Sequence, residues 1–285
     1  MDGQEWTGVR GKRVILTGAT GGIGLAAARQ LAALGAELTI VGRSAERAEA
    51  ARAAISRPVD SLLADLSSQR EVRRLADEIL ERYARLDVLI NNAGAMFGSR
   101  RVSVDGIELT WAVNHLAPFL LTTLLLERLV ASAPARIITT ASAAHYRARI
   151  PFEDLQAERS RWGVGFRRYG ETKLANVLFT RELARRLDGT GVTANCFHPG
   201  FVGTGFNHNN GLAMRLGMVV SRLAARSPEQ GAETLVWLAD SPAVSSTSGG
   251  YFMDRRERRP SHAARDPAAA HALWDLSAEQ VARSA

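Results

Sequence analysis

The chain is predicted to be an α/β protein, one domain built on a doubly wound parallel sheet of about seven strands with helices on both faces. Three observations predict it. Apolar runs of strand length alternate with longer stretches of helical periodicity along most of the 285 residues. The first such pair, Val14 to Thr17 and Ile23 to Leu34, is separated by a glycine-rich turn. The composition, 46% hydrophobic and 23% charged, is that of a globular domain and excludes a disordered chain or a bundle of membrane spans.

Val14 to Thr17 reads as the first strand and Ile23 to Leu34 as the first helix, with Gly35 placed to close it. Further strands fall near Leu38 to Val41, Ser61 to Ala64, Val88 to Asn91, Arg136 to Ala141 and Thr193 to Phe197. Pro134 follows a long helix ending near Ala131, and Pro228 opens a late helix behind Ser227. No linker, repeat or low-complexity tract interrupts the pattern, so residues 1–285 read as one domain with a core from about residue 8 to residue 252. The tail, 253–285, carries the arginine run Arg255 to Arg259 and a predicted amphipathic helix from Ala268 to Ala282.

The net charge of +7 is almost wholly arginine, because Lys12 and Lys173 are the two lysines of the chain. A lysine kept against such a bias invites a reason. The basic residues are scattered through the chain, so no nucleic-acid partner is expected. Cys196 is the sole cysteine, which excludes an internal disulfide and a cysteine-rich metal cluster and fits a reducing compartment. Residues 1–12 lack an apolar leader stretch, and no uninterrupted apolar run is long enough to span a bilayer. A cytoplasmic protein without membrane insertion is expected, and a homo-oligomer stays open.

The turn Thr17-Gly18-Ala19-Thr20-Gly21-Gly22-Ile23-Gly24 lies between a strand and a helix, where a dinucleotide's pyrophosphate binds free backbone N–H groups and the positive helix end. Its glycine spacing is wider than G-x-G-x-x-G. At the end of the second strand an acidic residue would take the ribose hydroxyls of NAD, whereas an arginine accommodates a 2′-phosphate. The strand ends Val41-Gly42-Arg43, so Arg43, with Arg47 a helical turn on, favours NADP(H) over NAD(H). Asp65, after the third strand, either accepts from an adenine amino group or caps the next helix. Asn91-Asn92-Ala93-Gly94 closes the fourth strand at the edge where such sheets place ligands, and is read as a wall of the cofactor site.

Tyr169-Gly170-Glu171-Thr172-Lys173 puts a phenol and an ammonium at i and i+4 on one helix face. A phenol's ordinary pKa near 10 must fall by about three, roughly 4 kcal/mol, before it exchanges protons readily at neutral pH. A buried lysine together with a positive nicotinamide would supply much of that.

With Asn114, Ser142 and Pro199-Gly200 added, the set resembles the short-chain dehydrogenase/reductase family over nearly the whole chain, which implies a single Rossmann-type domain. Val113 to Phe119, Lys173 to Ala184, His198-Pro199-Gly200 and an insertion at Ile150 to Glu158 resemble the retinol-dehydrogenase-like branch. The resemblance implies that Tyr169 donates the proton to a carbonyl oxygen, Ser142 holds that oxygen, Lys173 binds the nicotinamide ribose and lowers the phenol pKa, and Asn114 holds a water that relays protons. It implies cofactor contacts from Gly18, Thr20, Gly21, Gly22, Ile23, Gly24, Arg43, Asp65, Leu66, Asn92, Ala93, Gly94, Tyr169, Lys173, Pro199, Gly200, Val202 and Thr204. His115, His145 and His198 match no metal-ligand spacing, so structural roles and no metal are expected.

Phe166-Arg167-Arg168 departs from the small or apolar residues that relatives carry before this tyrosine; one arginine reaches the substrate mouth, or both are solvated. Positions 205–226 read as a substrate lid, polar from Phe206 to Gly211 and apolar from Leu212 to Leu223. That mixture suits a bulky, mainly apolar carbonyl or alcohol substrate with polar decoration, such as a terpenoid, polyketide or lipid ketone or aldehyde. Reduction is the expected reaction. A redox-linked epimerisation or dehydration on the same fold, and a non-catalytic NADP(H) sensor, are the alternatives.

Overall fold

The computed structural model describes residues 5–159, 162, 165–202 and 225–282. Its strands are β1 (Arg13–Thr17), β2 (Glu37–Gly42), β3 (Asp60–Leu63), β4 (Val88–Asn91), β5 (Ala135–Thr140), β6 (Val192–Phe197), β7 (Tyr251–Met253) and β8 (Arg256–Glu257). Its longer helices are α1 (Gly22–Ala33), α2 (Ala45–Ala53), α3 (Gln69–Arg82), α4 (Leu109–Ala131), α5 (Phe166–Arg186), α6 (Pro228–Asp240) and α7 (Pro267–Ala282). The strands form one sheet in the order β3-β2-β1-β4-β5-β6-β7-β8. All pairings are parallel except the last. The order reverses between β1 and β4, and the carboxyl ends on either side of that point frame a crevice.

The interior strands are apolar on both faces because helices cover both. Ile15, Val41, Leu62 and Ile137 pack with α3, α4 and α5, while Val14, Leu16, Ile40 and Ile138 pack with α1 and α6. Helix starts follow capping chemistry. Ser44 accepts from the Arg47 N–H and Ser68 from the Glu71 N–H. Ser227 and Gln230 form a reciprocal box around Pro228, as the Ser227-Pro228 signal predicts. Gly35 sits in the left-handed region behind α1.

The structure adds four features to what the sequence predicts. The sheet has eight strands, close to the seven or so expected: Asp254 and Arg255 both take positive φ and turn the chain into the short antiparallel β8. The body begins before residue 8, since Trp6 is buried and donates to the Asp240 carbonyl. The tail belongs to the core. Trp274 of α7 packs on Phe119 and Phe179, and Gln280 accepts from Trp111 Nε1. Finally, α4 is 23 residues long and apolar enough, by length and composition, to cross a membrane, although Asn114, His115, Glu127 and Arg128 interrupt its apolar run. In the fold 72% of its apolar window is buried, against α3, α5 and α7.

Candidate active site

Two glycines let the β1–α1 turn fold under the β4 end. A Cβ on Gly24 would lie 2.1 Å from the Gly18 carbonyl oxygen, and one on Gly18, which has φ of +68°, would lie 2.7 Å from Ala93 Cα. α1 starts at Gly21 with no side-chain cap and no acidic residue in its first turn, so its leading N–H groups are left for an anion. Thr20 packs its methyl over Gly42. Arg43 and Arg47 are exposed on the same rim, and an Arg47 guanidinium nitrogen lies 3.3 Å from where a Gly21 Cβ would be.

Asp65 does not cap α3; Ser68 does. One Asp65 oxygen instead accepts from the Ser67 N–H at 3.0 Å and the Ser67 hydroxyl at 2.8 Å. Leu66, Ala93, Val113 and Pro118 line a narrow cavity beside it. Thr17 Oγ1 accepts the N–H groups of Asn92 at 3.0 Å and Ala93 at 3.1 Å, and Asn92 Nδ2 returns to the Thr17 and Gly18 carbonyls. The strand-end motif is thereby tied to the glycine turn.

The helix α4 contains a π turn over Ala112–Leu116. Asn114, fully buried there, accepts from the Ala95 N–H at 2.7 Å and donates to the Ala95 carbonyl at 2.9 Å and to Thr172 Oγ1 at 3.0 Å. Its amide is committed to protein partners, so any relay through Asn114 runs through its main chain in the widened turn. Gly94 brings the strand end close to both Asn114 and Lys173; a Cβ there would be 3.4 Å from Asn114 Oδ1 and 3.5 Å from Lys173 Nζ.

Ser142 ends the β5 edge, accepting from the Ala144 N–H and hydrogen-bonding the Tyr169 phenol. Lys173 is 2% exposed, donates from Nζ to the Thr140 carbonyl at 2.8 Å, and lies 5.6 Å from the Tyr169 ring centre. Burial lowers its pKa to about 7. Burial raises Tyr169 to about 12, with the Ser142 bond opposing. In the protein alone, desolvation outweighs the Ser142 hydrogen bond at the phenol.

Pro199 and Gly200 follow β6, and the side chains of Val202 and Ile23 both close on Gly231 of α6. Thr204 and lid positions 205–224 lie outside the described residues. Arg168 takes neither of its two predicted roles. It is 2% exposed, bonded to Glu108 at 2.7 Å, Glu171 at 3.2 Å and the Leu155 carbonyl, over the Trp111 ring. Arg167 is exposed and pairs with Glu171. His145 Nδ1 bonds the Ser142 carbonyl at 2.7 Å and its Nε2 accepts from the Ser261 N–H. Among the described residues no three His, Cys, Asp or Glu side chains gather as a metal site. Sequence reasoning missed Thr140, whose carbonyl accepts from both Lys173 and Asn176, and Asn176 itself, neither of which carries a motif of its own.

A Gly-lined turn beneath a bare helix start, with a serine, tyrosine and lysine at the same sheet edge, is the arrangement of a nicotinamide-dependent oxidoreductase. The chain belongs to the short-chain dehydrogenase family, whose model matches residues 12–153. It is 42% identical to retinol dehydrogenase 14 of Mus musculus over 291 residues, 96% of this chain and 86% of that one. It is also 42% identical, over 98% of this chain and 95% of the other, to DnrU of Streptomyces sp. (strain C5), named for daunorubicin C-13 ketoreduction. The crystal structure of a short chain dehydrogenase from Burkholderia cenocepacia J2315 in complex with NADP is similar at 29% identity and a TM-score of 0.68, over 86% of this chain and 96% of that one.

Proposed function

We propose that the protein is an NADP(H)-dependent ketone or aldehyde reductase acting on a bulky, mainly apolar small molecule. The convergence of Ser142, Tyr169 and Lys173 beside the glycine turn carries this reading. The residues fit the cofactor: uncapped N–H groups and a cradle that a Cβ would fill at the turn, Arg43 and Arg47 for a 2′-phosphate, Asp65 and Leu66 at the adenine end, Asn92, Ala93 and Gly94 along the wall. Lys173, Pro199, Gly200, Val202 and Thr204 serve the nicotinamide end. When bound, NADP(H) supplies the hydride. Ser142 hydrogen-bonds the substrate oxygen, Tyr169 donates its phenolic proton to that oxygen, and Lys173 holds the ribose and restores the charge balance as the phenol gives up its proton. Both named relatives are titled for alcohol or ketone chemistry, and a structural neighbour is an NADP complex, which supports the reading.

The test is oxidation of NADPH and NADH with a panel of polycyclic ketones, terpenoid ketones and long-chain aldehydes. NADPH turnover with at least one bulky carbonyl is expected; turnover with NADH alone sinks the cofactor assignment. Arg43→Ala should weaken NADPH about ten- to a hundredfold, the loss of a charge-assisted bond, and leave NADH nearly unchanged. Equal losses for both cofactors in a binding titration would remove Arg43 from the 2′-phosphate.

The pH dependence follows from Lys173, held near 7. Its ammonium, the form that favours proton release from Tyr169, is present below that value and lost above it. The reductive kcat is therefore expected to fall as pH rises through about 7, since the lysine proton leaves in that window. A reductive profile flat from pH 6 to pH 9, measured with saturating substrate, counts against the role of Lys173.

A further inference from the structure

The register of β5 ends at Thr140, with one further bond from the Ala141 N–H to the Phe197 carbonyl. Ser142 therefore stands just beyond the sheet, and its place is set by the 3₁₀ turn Ala143–Arg147 that follows it. Inside that turn His145 is fully buried. Its Nδ1 lies 2.7 Å from the Ser142 carbonyl oxygen, which also accepts the His145 main-chain N–H at 3.2 Å. Its Nε2 accepts the Ser261 N–H at 3.1 Å. The ring is held by Tyr146 at 4.2 Å and, edge-on, by Tyr251 of β7 at 4.8 Å. The Tyr146 hydroxyl in turn donates to the Arg259 carbonyl at 2.9 Å. The tail behind β8 is thus fastened to two consecutive residues of the turn, by a main-chain acceptor at Arg259 and a main-chain donor at Ser261.

These bonds admit one protonation state. A main-chain N–H can only donate, so Nε2 must keep its lone pair for Ser261; a carbonyl can only accept, so Nδ1 must carry the hydrogen that meets Ser142. The other tautomer sets two donors together at Nε2 and two acceptors at Nδ1, and an imidazolium keeps the clash at Nε2. Burial lowers the pKa of the ring, with the Ser142 bond opposing, so it is neutral near pH 7. The same turn also touches the helix that carries the phenol. Gly170, next to Tyr169 on α5, faces the Ala144 carbonyl oxygen, which would lie 3.0 Å from a Cβ there. A turn that shifts would move Ser142 against Tyr169.

We infer that His145 is a positioning residue: as the Nδ1–H tautomer it pins the Ser142 carbonyl, and through Ser261 it makes the aim of the Ser142 hydroxyl depend on the tail. It acts through Ser142, so its catalytic meaning rests on the role proposed for that residue. A misplacement of about 1 Å at a reacting group can cost about a hundredfold in rate, which is the scale on which such a pin matters.

Histidine ¹⁵N NMR on the unaltered protein at neutral pH is expected to show His145 with a protonated Nδ1 and a bare Nε2; a protonated Nε2 overturns the inference. Three variants then separate the two ends of the ring. His145→Asn sets an amide N–H near the Nδ1 position and reaches Ser142 alone, His145→Gln sets its amide near the Nε2 position and reaches Ser261 alone, and His145→Phe keeps a ring and reaches neither. The Ser142 carbonyl ¹³C resonance is expected to stay near its original place in the Asn variant and to move in the other two. With a carbonyl substrate, kcat should fall about ten- to a hundredfold in the Gln and Phe variants and recover to within about threefold in the Asn variant, while NADPH binding stays within about twofold throughout. Equal kcat in all three, or losses that follow melting temperature and not the carbonyl resonance, overturn the positioning role. The tautomer is read without any substitution, so a variant that fails to fold does not shield the inference. A protein that gives the expected spectra yet reduces no carbonyl overturns the proposed function and leaves the pin on Ser142 standing.

Discussion

Tyr169→Phe is expected to lower carbonyl reduction by about 10²- to 10⁴-fold, the range for loss of a positioned proton donor, while NADPH binding stays within about twofold. The substitution removes one oxygen and keeps the ring, which lies 6.5 Å from Phe166. The phenol has been lifted to about 12 by burial, so at neutral pH it is a fully protonated donor already bonded to Ser142. Among the described residues at that edge, the Ser142 hydroxyl is a far weaker acid, and Lys173 Nζ is bonded to the Thr140 carbonyl. Single-turnover NADPH consumption, alongside a cofactor titration, checks the prediction. Undiminished turnover would remove the proton-donating role. Cofactor binding by the unaltered protein without turnover of any carbonyl would favour a non-catalytic sensor.

Two neighbouring arginines should give opposite results. Arg168→Met is expected to destabilise the protein by about 3–5 kcal/mol, because removing one partner of a buried ion network strands the others. The stranded groups are Glu108, whose carboxylate also receives the Thr110 and Trp111 N–H groups at the start of α4, and Glu171 on α5. Burial already raises the Glu171 pKa, with Arg168 as the strongest opposing influence. At roughly 2–4 °C per kcal/mol for a chain somewhat shorter than this one, the melting temperature should fall by about 6–20 °C. Arg167→Ala, one position earlier and exposed, should cost no more than about 1 kcal/mol. Thermal unfolding of both variants decides the matter; similar small losses would mean that Arg168 is solvated after all.

The alternation of strands and helices was legible because each unit from β1 to β6 is long enough to show its period and ends on a recognisable cap or proline. β7 and β8 were not. They are three and two residues long, and the Asp254-Arg255 turn lacks the glycine or asparagine that usually announces a hairpin with two positive φ angles. At the site, the Tyr169–Lys173 pair and the glycine turn could be read from spacing, since both lie within one element or its boundary. Ser142 and Asn114 emerged only through family resemblance. Arg168 was beyond reach for a plainer reason. Its fate depends on Glu108, 60 positions away, and no local pattern separates an arginine that meets buried carboxylates from one that meets water. How far burial lifts the phenol was equally hidden, because dryness is set by the whole fold.

The position of α7 has a consequence for how the protein is made. Of all the elements described, this helix leaves the ribosome last, yet Trp274 covers Phe119 and Phe179, and Ser277 and Gln280 reach His115 and Trp111 around the turn that carries Asn114. Every earlier element can emerge and pair while that aromatic face is still bare. A nascent chain halted before residue 267 would carry each of the four proposed catalytic side chains and still present a sticky, unfinished surface to chaperones and proteases. Emergence of α7 and completion of the site thus coincide.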